Sequence, residues 1–378
     1  MKVARIVLTQ VVVPARPDSI ASPGVDRPLH MLSHEGRKGW TVQFDCMPKF
    51  VIELHTDSEV VGLGESYRGL PMPQMMAVAQ QLIGRDLLQL NWQDLPFGPA
   101  RLYDGFECAI LDAVAHHHGT PLHGLLGGVY RQEIRCSYWS SHRTTDDAVQ
   151  KAEAAREAGF DSIKFKCDLS DPVVDWCSRI RDACGPDFHV VLDPNGRWES
   201  IAEAQRRAAA LAEIGNVLCI EDPLPRWNME EYRVLRQKVT VPVALHVALP
   251  YAEMGQAKQD VIRAIRTGAC DYFNFNGGIF GVRRMATVAD LAGIRYWHGS
   301  ELDLGILEAS YVHKCASFEH GTLPADIFGR LVREHDLLQE PLVIRDGCVR
   351  VPSGPGLGVE LDREALARYR VGEEKVIE

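Results

Sequence analysis

The middle of the chain alternates short apolar runs with longer stretches in which apolar residues recur every three or four positions. The longer stretches, such as 146–160 and 200–215, predict helices that end near a glycine. The apolar runs recur at intervals of roughly 24 to 29 residues: IRCSYW (134–139), SIKFK (162–166), HVVLD (189–193), VLCIE (217–221), VPVALH (241–246), CDYFNFN (270–276) and IRYWH (294–298). This repetition is typical of parallel βα units, and its period favours a closed barrel over an open sheet.

The flanks of this repeat have a different pattern. Residues 1–130 mix strand-like and helical stretches, which indicates a separate α+β domain before the barrel of residues 131–340. Residues 341–378 begin with strand and turn signals again. The simplest topology returns this tail to pack on the first domain.

Composition and charge exclude several classes of protein. The 378 residues are 46% hydrophobic and 24% charged, as in an ordinary soluble protein. The net charge of −10 argues against nucleic acid or an anionic membrane as a partner. The N-terminus has the pattern of a first strand and not of a signal peptide, and no stretch approaches the roughly 18 apolar residues of a membrane span. The ten cysteines form no CxxC pair, which favours reduced thiols in the cytoplasm.

Two lysines interrupt an otherwise apolar run. In SIKFKC (162–167), Lys164 and Lys166 alternate with Ile163 and Phe165, so both ammonium groups project from one face of the predicted strand. Lysine is rarely buried, so an isolated KxK motif is explained by an edge strand whose lysine face is exposed to solvent. A shared role in a buried site is the alternative.

Polar residues also close the other predicted strands. In a parallel barrel the working groups lie at the carboxyl ends of the strands, and these ends carry Asp193, Asn195, Glu221, His246, Asn274, Asn276 and His298. Asp193 and Glu221 come from adjacent strands, so their oxygens can converge on one hard cation such as Mg²⁺. The alternative for Asp193 is a cap on the helix that follows it.

The order of several motifs resembles that of the enolase superfamily, in the branch of mandelate racemase and muconate lactonizing enzyme. The motifs span nearly the whole chain: VGLGES (61–66), GTPLHGLLGG (119–128), KFK (164–166), LDPNGRW (192–198), IEDP (220–223), the glycine pair 277–278 and PGLGVELD (355–362). The resemblance implies an α/β fold with a modified (β/α)7β TIM-like barrel and an N-terminal α+β capping domain completed by the C-terminal tail. It also implies an essential Mg²⁺ and chemistry that begins with removal of the proton α to a carboxylate.

Roles for the strand-end residues follow from this resemblance. Crowded lysines in a poorly solvated site have lowered pKa values, which makes Lys166 the expected general base. Lys164 is expected to stay protonated, to lower the pKa of its neighbour and to contact the substrate carboxylate. His298 lies where the branch places a second acid or base on the opposite face of the substrate, although a histidine merely hydrogen-bonded near a tryptophan is the alternative.

Two departures from the family pattern stand out. The third metal ligand of the family is an acid after the fifth strand, where this chain has VPVALHVALPY and His246 is the nearest candidate. Imidazole favours softer divalent ions such as Mn²⁺, Fe²⁺ or Zn²⁺ over Mg²⁺. Asn276 falls where the racemase branch has the aspartate that orients the histidine, because Asp271 lies too early in its strand.

Further candidates line the predicted mouth. Tyr138 and Ser140 end the first strand, and together with Asn195, Asn276, Glu301 and Glu319 they are the predicted substrate-binding residues. Glu301 could equally start a helix. The loop 21–39, with His30, His34 and Arg37, resembles a lid from the capping domain.

The sequence therefore predicts a cytoplasmic, divalent-metal-dependent enzyme that acts on a small carboxylate. Dehydration of a hydroxy or sugar acid is favoured because a polar mouth suits a polyol. A racemase or epimerase, and a relative that binds metal or carboxylate without turnover, are the alternatives. We expect a homo-oligomer, because such assemblies are common in the family.

Overall fold

The described part of the chain forms three sheets, with helices packed against them. A computed structural model describes residues 1–25, 48–91, 100–226, 228–247 and 257–378. The strands are β1 (Val3–Val11), β2 (Lys49–Thr56), β3 (Val61–Glu65), β4 (Glu133–Arg135), β5 (Tyr138–Ser140), β6 (Ser162–Lys166), β7 (His189–Asp193), β8 (Val217–Glu221), β9 (Val243–Val247), β10 (Tyr272–Phe275), β11 (Tyr296–His298), β12 (Ile344–Arg345), β13 (Cys348–Arg350) and β14 (Lys375–Ile377).

The helices fill the intervals that the apolar pattern predicts. They are α1 (Met72–Leu82), α2 (Ala100–His117), α3 (Leu122–Leu125), α4 (Thr145–Glu157), α5 (Val173–Cys184), α6 (Ile201–Ile214), α7 (Met229–Arg236), α8 (Ala257–Thr267), α9 (Ile279–Leu291), α10 (Gly305–Ala316), α11 (Gly329–Val332) and α12 (Arg363–Tyr369). Helix α6 shows why they form there: the Ser200 hydroxyl accepts from the backbone N–H of Glu203 and caps its start, and Gly215 ends it in the left-handed conformation.

A parallel sheet of seven strands in the order β11-β10-β9-β8-β7-β6-β5 forms the barrel. Residues 323–326 close it, because the N–H of Asp326 donates to the carbonyl of His298 on β11. On the other side Ala325 donates to Arg135 and accepts from Ser137, next to β5. The segment takes the place of an eighth strand, and the predicted TIM-like barrel is confirmed.

The ends of the chain meet in a second sheet. Strands β14, β1, β2 and β3 pair antiparallel in that order, with Ile6 opposite Ile377, and α1 and α2 cover the sheet with an apolar core of their own. The tail first adds β12 and β13 to β4, in a small antiparallel sheet at the start of the barrel. The C-terminal segment thus completes the capping domain, while the boundaries at 130 and 340 stay a prediction.

Two buried carboxylates join the capping domain to the barrel at helix N-termini. The Glu65 carboxylate accepts from the backbone N–H groups of Leu304 (2.8 Å) and Leu307 (3.0 Å) at the start of α10. The Glu107 carboxylate accepts from Ile279 (2.6 Å) and Phe280 (3.2 Å) at the start of α9. These positions satisfy unpaired N–H groups at the positive ends of the helix dipoles, so both contacts fix the capping domain over the barrel.

Candidate active site

The two lysines of β6 point into the barrel. Lys164 and Lys166 are 2% and 7% exposed, and β6 lies between β5 and β7, so the edge-strand interpretation is wrong. The alternate residues Ile163 and Phe165 face the outer helices, where the Phe165 ring packs 5.2 Å from that of Trp176. The alternation of a strand therefore places both ammonium groups in the interior.

Lys164 is held by three buried carboxylates. Its Nζ lies 2.7 Å from Glu221, 2.8 Å from Asp326 and 3.2 Å from Asp193. Burial opposes the charge, but the carboxylates outweigh it and raise the pKa of Lys164 well above its ordinary value. Lys164 is consequently a fixed cation at the centre of the site.

Lys166 lies in a different electrostatic environment. Its Nζ lies 2.5 Å from Asp193 Oδ2 and 3.0 Å from Asn195 Oδ1. Burial lowers the pKa of Lys166; the Asp193 carboxylate opposes this shift and the Lys164 ammonium adds to it. Of two adjacent lysines, one thus holds its proton more tightly than usual and the other less tightly, which is the combination that general-base chemistry requires.

Asp193 and Glu221 point into the same interior, each at the end of its strand. Asp193 does not cap the next helix, because Ser200 does so; its Oδ1 instead accepts from the Asn195 side chain at 2.8 Å. Burial raises the pKa of Asp193, but Lys166 and Lys164 outweigh it and leave the pKa well below its usual value. Lys164 and His246 likewise leave the pKa of Glu221 lowered, against burial and the charge of Asp193.

His246 on β9 lies beside Glu221. Its Nδ1 lies 3.0 Å from Glu221 Oε1, and its Nε2 is buried with no hydrogen-bond partner among the described residues. Burial lowers the pKa of His246 to about 4, so the ring is neutral at neutral pH. Gly299 leaves space beside this nitrogen, because a Cβ there would lie 2.9 Å from Nε2.

These donors fit a divalent cation. Two carboxylates and an unpartnered imidazole nitrogen are ligands that transition ions accept, and Glu221, Asp222 and His246 offer ligand atoms within 4.8 Å of one another. Asp222 is the least available of the three, because it accepts from the His246 backbone N–H and from Arg226. Residues 248–256, just after β9, lie outside the described part of the chain.

Two predicted substrate-binding residues lie on the wrong face of β5. Tyr138 and Ser140 pair with the outward Ile163 and Phe165, whereas Trp139 pairs with Lys164 and shares its interior face. The Tyr138 ring packs 5.3 Å from Phe160, and the Ser140 hydroxyl accepts from the Arg143 side chain. The prediction is corrected: Trp139 lines the cavity instead.

His298 also points away from the cavity. It pairs with the outward Phe275 on β10, its ring stacks on that of Tyr311 in α10 at 4.0 Å, and its Nδ1 contacts the carbonyl of Gly299. Burial and the charge of Lys314 hold the pKa of His298 well below its usual value. This placement does not fit the predicted second acid or base, and Trp297 is the residue of β11 that faces inward.

Asn276 and Glu319 likewise lie outside the cavity lining. The Asn276 side-chain oxygen accepts from the N–H of Gly277, and no hydrogen bond joins Asn276 to His298 in the described residues. Glu319 is exposed, and the acid that reaches the site from the barrel-closing segment is Asp326. Because Ser140 and Asn276 are absent from the lining, the argument for a polyol from a polar mouth is weakened.

A cavity that opens to solvent lies between these groups. Its apolar wall is made of Trp139, Leu302 and Phe328, and its polar wall of Arg68, Lys164, Lys166, His246, Ser300, Glu301 and Asp326. Asn195 lies behind Lys166 and contacts its ammonium.

Sequence patterns did not indicate Arg68, Trp139, Asp326 or Phe328. Arg68 comes from the capping domain, where it follows the GLGES motif by two residues, and its Nη1 lies 3.6 Å from Glu301 Oε2. His30, His34 and Arg37 of the predicted lid lie in 26–47, outside the described residues.

Comparison with known proteins identifies relatives of this chain. The family model described as "Enolase C-terminal domain-like" matches residues 147–365. Muconate cycloisomerase 1 of Rhodococcus opacus is 33% identical over 87% of this chain and 92% of its own length. The probable glucarate dehydratase of Streptomyces coelicolor is 28% identical over 85% of this chain and 84% of its own. The crystal structure of N-succinyl Arg/Lys racemase from Bacillus cereus covers both chains fully with a TM-score of 0.84 at 20% identity, which shows a shared fold.

The barrel carries a capping domain, and its paired lysines face two carboxylates at the ends of neighbouring strands. These features are those of barrel enzymes whose active site lies at the carboxyl ends of the strands. The chain belongs to the enolase superfamily, in its mandelate racemase and muconate lactonizing enzyme branch. No helix in the described part of the chain is long and apolar enough to cross a membrane.

Proposed function

We propose that this enzyme dehydrates a small hydroxy acid or sugar acid, with Lys166 as the base that removes the proton α to the carboxylate. One observation carries the proposal: within the described residues, Lys166 is the cavity amine whose pKa burial lowers. In this role the side-chain amine of Lys166 takes the α-proton. Asp193 and Asn195, which contact its Nζ, hold the amine in position.

The position of His298 favours elimination over racemisation. Racemisation by proton transfer needs a donor on the face opposite the base, and His298, the residue predicted for that task, lies on the outer face of β11. Elimination instead needs a proton for the leaving group, not one delivered to the opposite face of the α-carbon. The placement of His298 therefore supports the dehydratase over the racemase.

Asp193, Glu221 and His246 Nε2 would hold the divalent cation. When bound, such an ion supplies positive charge for the substrate carboxylate, whose negative charge increases as the α-proton departs. Lys164 adds a fixed charge beside the same oxygens. The apolar surface of Trp139, Leu302 and Phe328 lowers the local dielectric and strengthens these interactions.

A cycloisomerase is the second candidate. The apolar wall of the cavity suits an unsaturated acid better than a polyol, and the relative at 33% identity is named a muconate cycloisomerase. The reverse of that reaction also removes a proton α to a carboxylate, and it expels a carboxylate oxygen in place of water. Both candidates assign the same role to Lys166.

Exchange of the α-proton tests the proposal directly. The enzyme is incubated in D₂O with Mn²⁺ and a panel of hydroxy acids, sugar acids and muconolactones, and deuterium incorporation is followed by NMR. A 2-keto acid product supports dehydration, and an opened lactone supports the cycloisomerase. Inverted configuration would overturn the elimination proposal, and no exchange with any acid would support a relative without turnover.

The identity of the metal is a separate prediction. Because imidazole is a poor ligand for Mg²⁺, we expect the protein to bind Zn²⁺ or Mn²⁺ more tightly than Mg²⁺ in calorimetric titrations. His246→Asp should lower the Zn²⁺ affinity by at least about tenfold, because even mutations of residues that only hydrogen-bond to a metal ligand typically cost that much. The same substitution should raise the affinity for Mg²⁺ relative to Zn²⁺.

The exposed His118→Asp serves as the matched control and should leave every affinity unchanged. Unaltered metal affinities in His246→Asp would remove His246 from the coordination shell.

A further inference from the structure

Glu301 is a buried acid in the cavity that the reaction so far does not use. It lies in the loop between β11 and α10, and its backbone is fixed on both sides. Its N–H donates to Asp303 Oδ2 at 2.9 Å, and its carbonyl accepts from Arg68 Nη1. The next residue, Leu302, has a φ of +63°, a strained conformation that persists only when the surrounding contacts hold it. The position of Glu301 in the cavity is therefore well defined.

The carboxyl group of Glu301 has no hydrogen-bond partner in the described residues. The residue is 3% exposed, and neither Oε1 nor Oε2 is hydrogen-bonded. Arg68 Nη1, at 3.6 Å from Oε2, lies beyond hydrogen-bond distance. Leaving a buried polar group unpaired is unfavourable, and such groups at a cavity wall are available to a ligand.

The surroundings favour the protonated form of this group. Burial raises the pKa of Glu301; the Arg68 guanidinium opposes the shift and the Asp303 carboxylate adds to it. A protonated carboxyl group can donate a hydrogen bond. Glu301 shares the cavity with Lys166, the amine whose pKa burial lowers. The cavity is thus lined by an amine whose pKa is lowered and by a carboxyl group whose pKa is raised, as expected for a base and an acid.

The other carboxylates at the site are already engaged. Asp193 and Glu221 accept from lysine, asparagine and histidine side chains. Asp326 is bound through Oδ2 to the Lys164 ammonium at 2.8 Å, whereas its Oδ1 has no hydrogen-bond partner in the described residues. Among the described acids that line the cavity, Glu301 is the one without such a contact.

We propose that Glu301 is the general acid of the elimination, donating its proton to the β-hydroxyl of the substrate as that group leaves. In the balanced step, Lys166 takes the α-proton and the electron pair of that C–H bond forms a carbon–carbon double bond. The β-carbon–oxygen bond breaks, and the oxygen takes the proton of Glu301 and departs as water. The resulting enol accepts a proton at the β-carbon, loses the proton of its α-hydroxyl to solvent and becomes a 2-keto acid. This proposal rests on the proposed dehydratase function.

Glu301→Gln separates the two proton transfers. Glutamine keeps the size of the side chain but cannot donate a carboxylic proton, so we expect elimination of water to fall by about 10²–10⁴-fold, the contribution of one general acid. Exchange of the α-proton in D₂O should continue at close to the wild-type rate, because Lys166 is intact. Continued exchange also shows that the variant is folded and binds substrate.

A change of leaving group sharpens the test. Fluoride departs without a proton donor, so the analogue with fluorine in place of the β-hydroxyl should lose fluoride at similar rates in Glu301→Gln and in the wild type. The exposed Glu340→Gln is the matched control and should behave as the wild type in all three assays.

Three results would overturn this role. Glu301→Gln could dehydrate the substrate at the wild-type rate, its rates of water and fluoride elimination could fall by the same factor, or it could lose α-proton exchange together with dehydration. Failure of the proposed function is recognised separately, because the wild type itself would then neither exchange nor dehydrate any hydroxy acid.

Discussion

Replacing Lys166 with methionine should lower the rate of α-proton exchange by about 10²–10⁴-fold, the usual contribution of a general base. Methionine has a similar length and fills the same space without a lone pair that can take the proton. Exchange is measured by NMR in D₂O with a substrate found in the panel, at saturating Mn²⁺. Both candidate eliminations begin with this transfer, so their products should disappear to the same extent.

Lys238→Met is the matched control for this experiment. Lys238 is exposed in the turn after α7, so the same substitution there should leave exchange and product formation at wild-type rates. Exchange at the wild-type rate in Lys166→Met, with the fold intact by circular dichroism, would contradict the role of this lysine as the base.

Lys164→Met should destabilise the metal-free protein by about 3–5 kcal/mol, the cost of removing one partner from a buried ion pair. The substitution leaves Asp193, Glu221 and Asp326 without the ammonium that they share. A divalent ion bound to two of these carboxylates should restore part of the loss, since a ligand at about 100 times its dissociation constant stabilises by about 2.7 kcal/mol. Urea denaturation with EDTA, and then with Mn²⁺, measures both effects.

The chain offers a matched control in Lys314, a second buried lysine near two acids. The carboxylates of Asp104 and Glu107 act on its charge, and it is outside the proposed metal site. Lys314→Met should lose stability with no extra recovery from Mn²⁺ relative to the wild type. An unchanged urea midpoint in metal-free Lys164→Met would show that the shared ammonium does not hold these carboxylates together.

The barrel and the heart of the site were predictable because strand ends and side-chain alternation follow directly from residue order. Lys164 and Lys166 share one face of β6, since an apolar residue separates the two charges, and the central position of the strand makes that face the inner one. Asp193, Glu221 and His246 each end a run of apolar residues, so parallel pairing brings them to the same end of the barrel. The long separation in sequence does not matter once the strands are adjacent.

The misplaced residues lie where the pattern is too short to define a face. Strands β5 and β11 have three residues each, and both faces of YWS and YWH carry large or polar side chains. A shift of one position moves every side chain to the other face. The predicted orientation of β5 was off by one position, so Trp139 and not Tyr138 or Ser140 lines the cavity. For the same reason His298 packs on Tyr311.

Other contributions could not be found from local pattern at all. Asp326 lies in the segment that closes the barrel with a few hydrogen bonds and forms no regular strand, so no alternation marks it. Arg68 reaches Glu301 from a different domain, 233 positions away in sequence, through a contact that depends on how that domain docks. The position of Glu301 depends in turn on this contact and on Asp303.

Docking through Glu65 and Glu107 has a consequence for how such enzymes diversify. Both acids bind main-chain amides, which every amino acid except proline supplies, so neither contact constrains the side chains of α9 and α10. A chimaera that joins this capping domain to a related barrel should keep the spacing of the two halves of the pocket, provided that both acids and the unblocked amides are preserved.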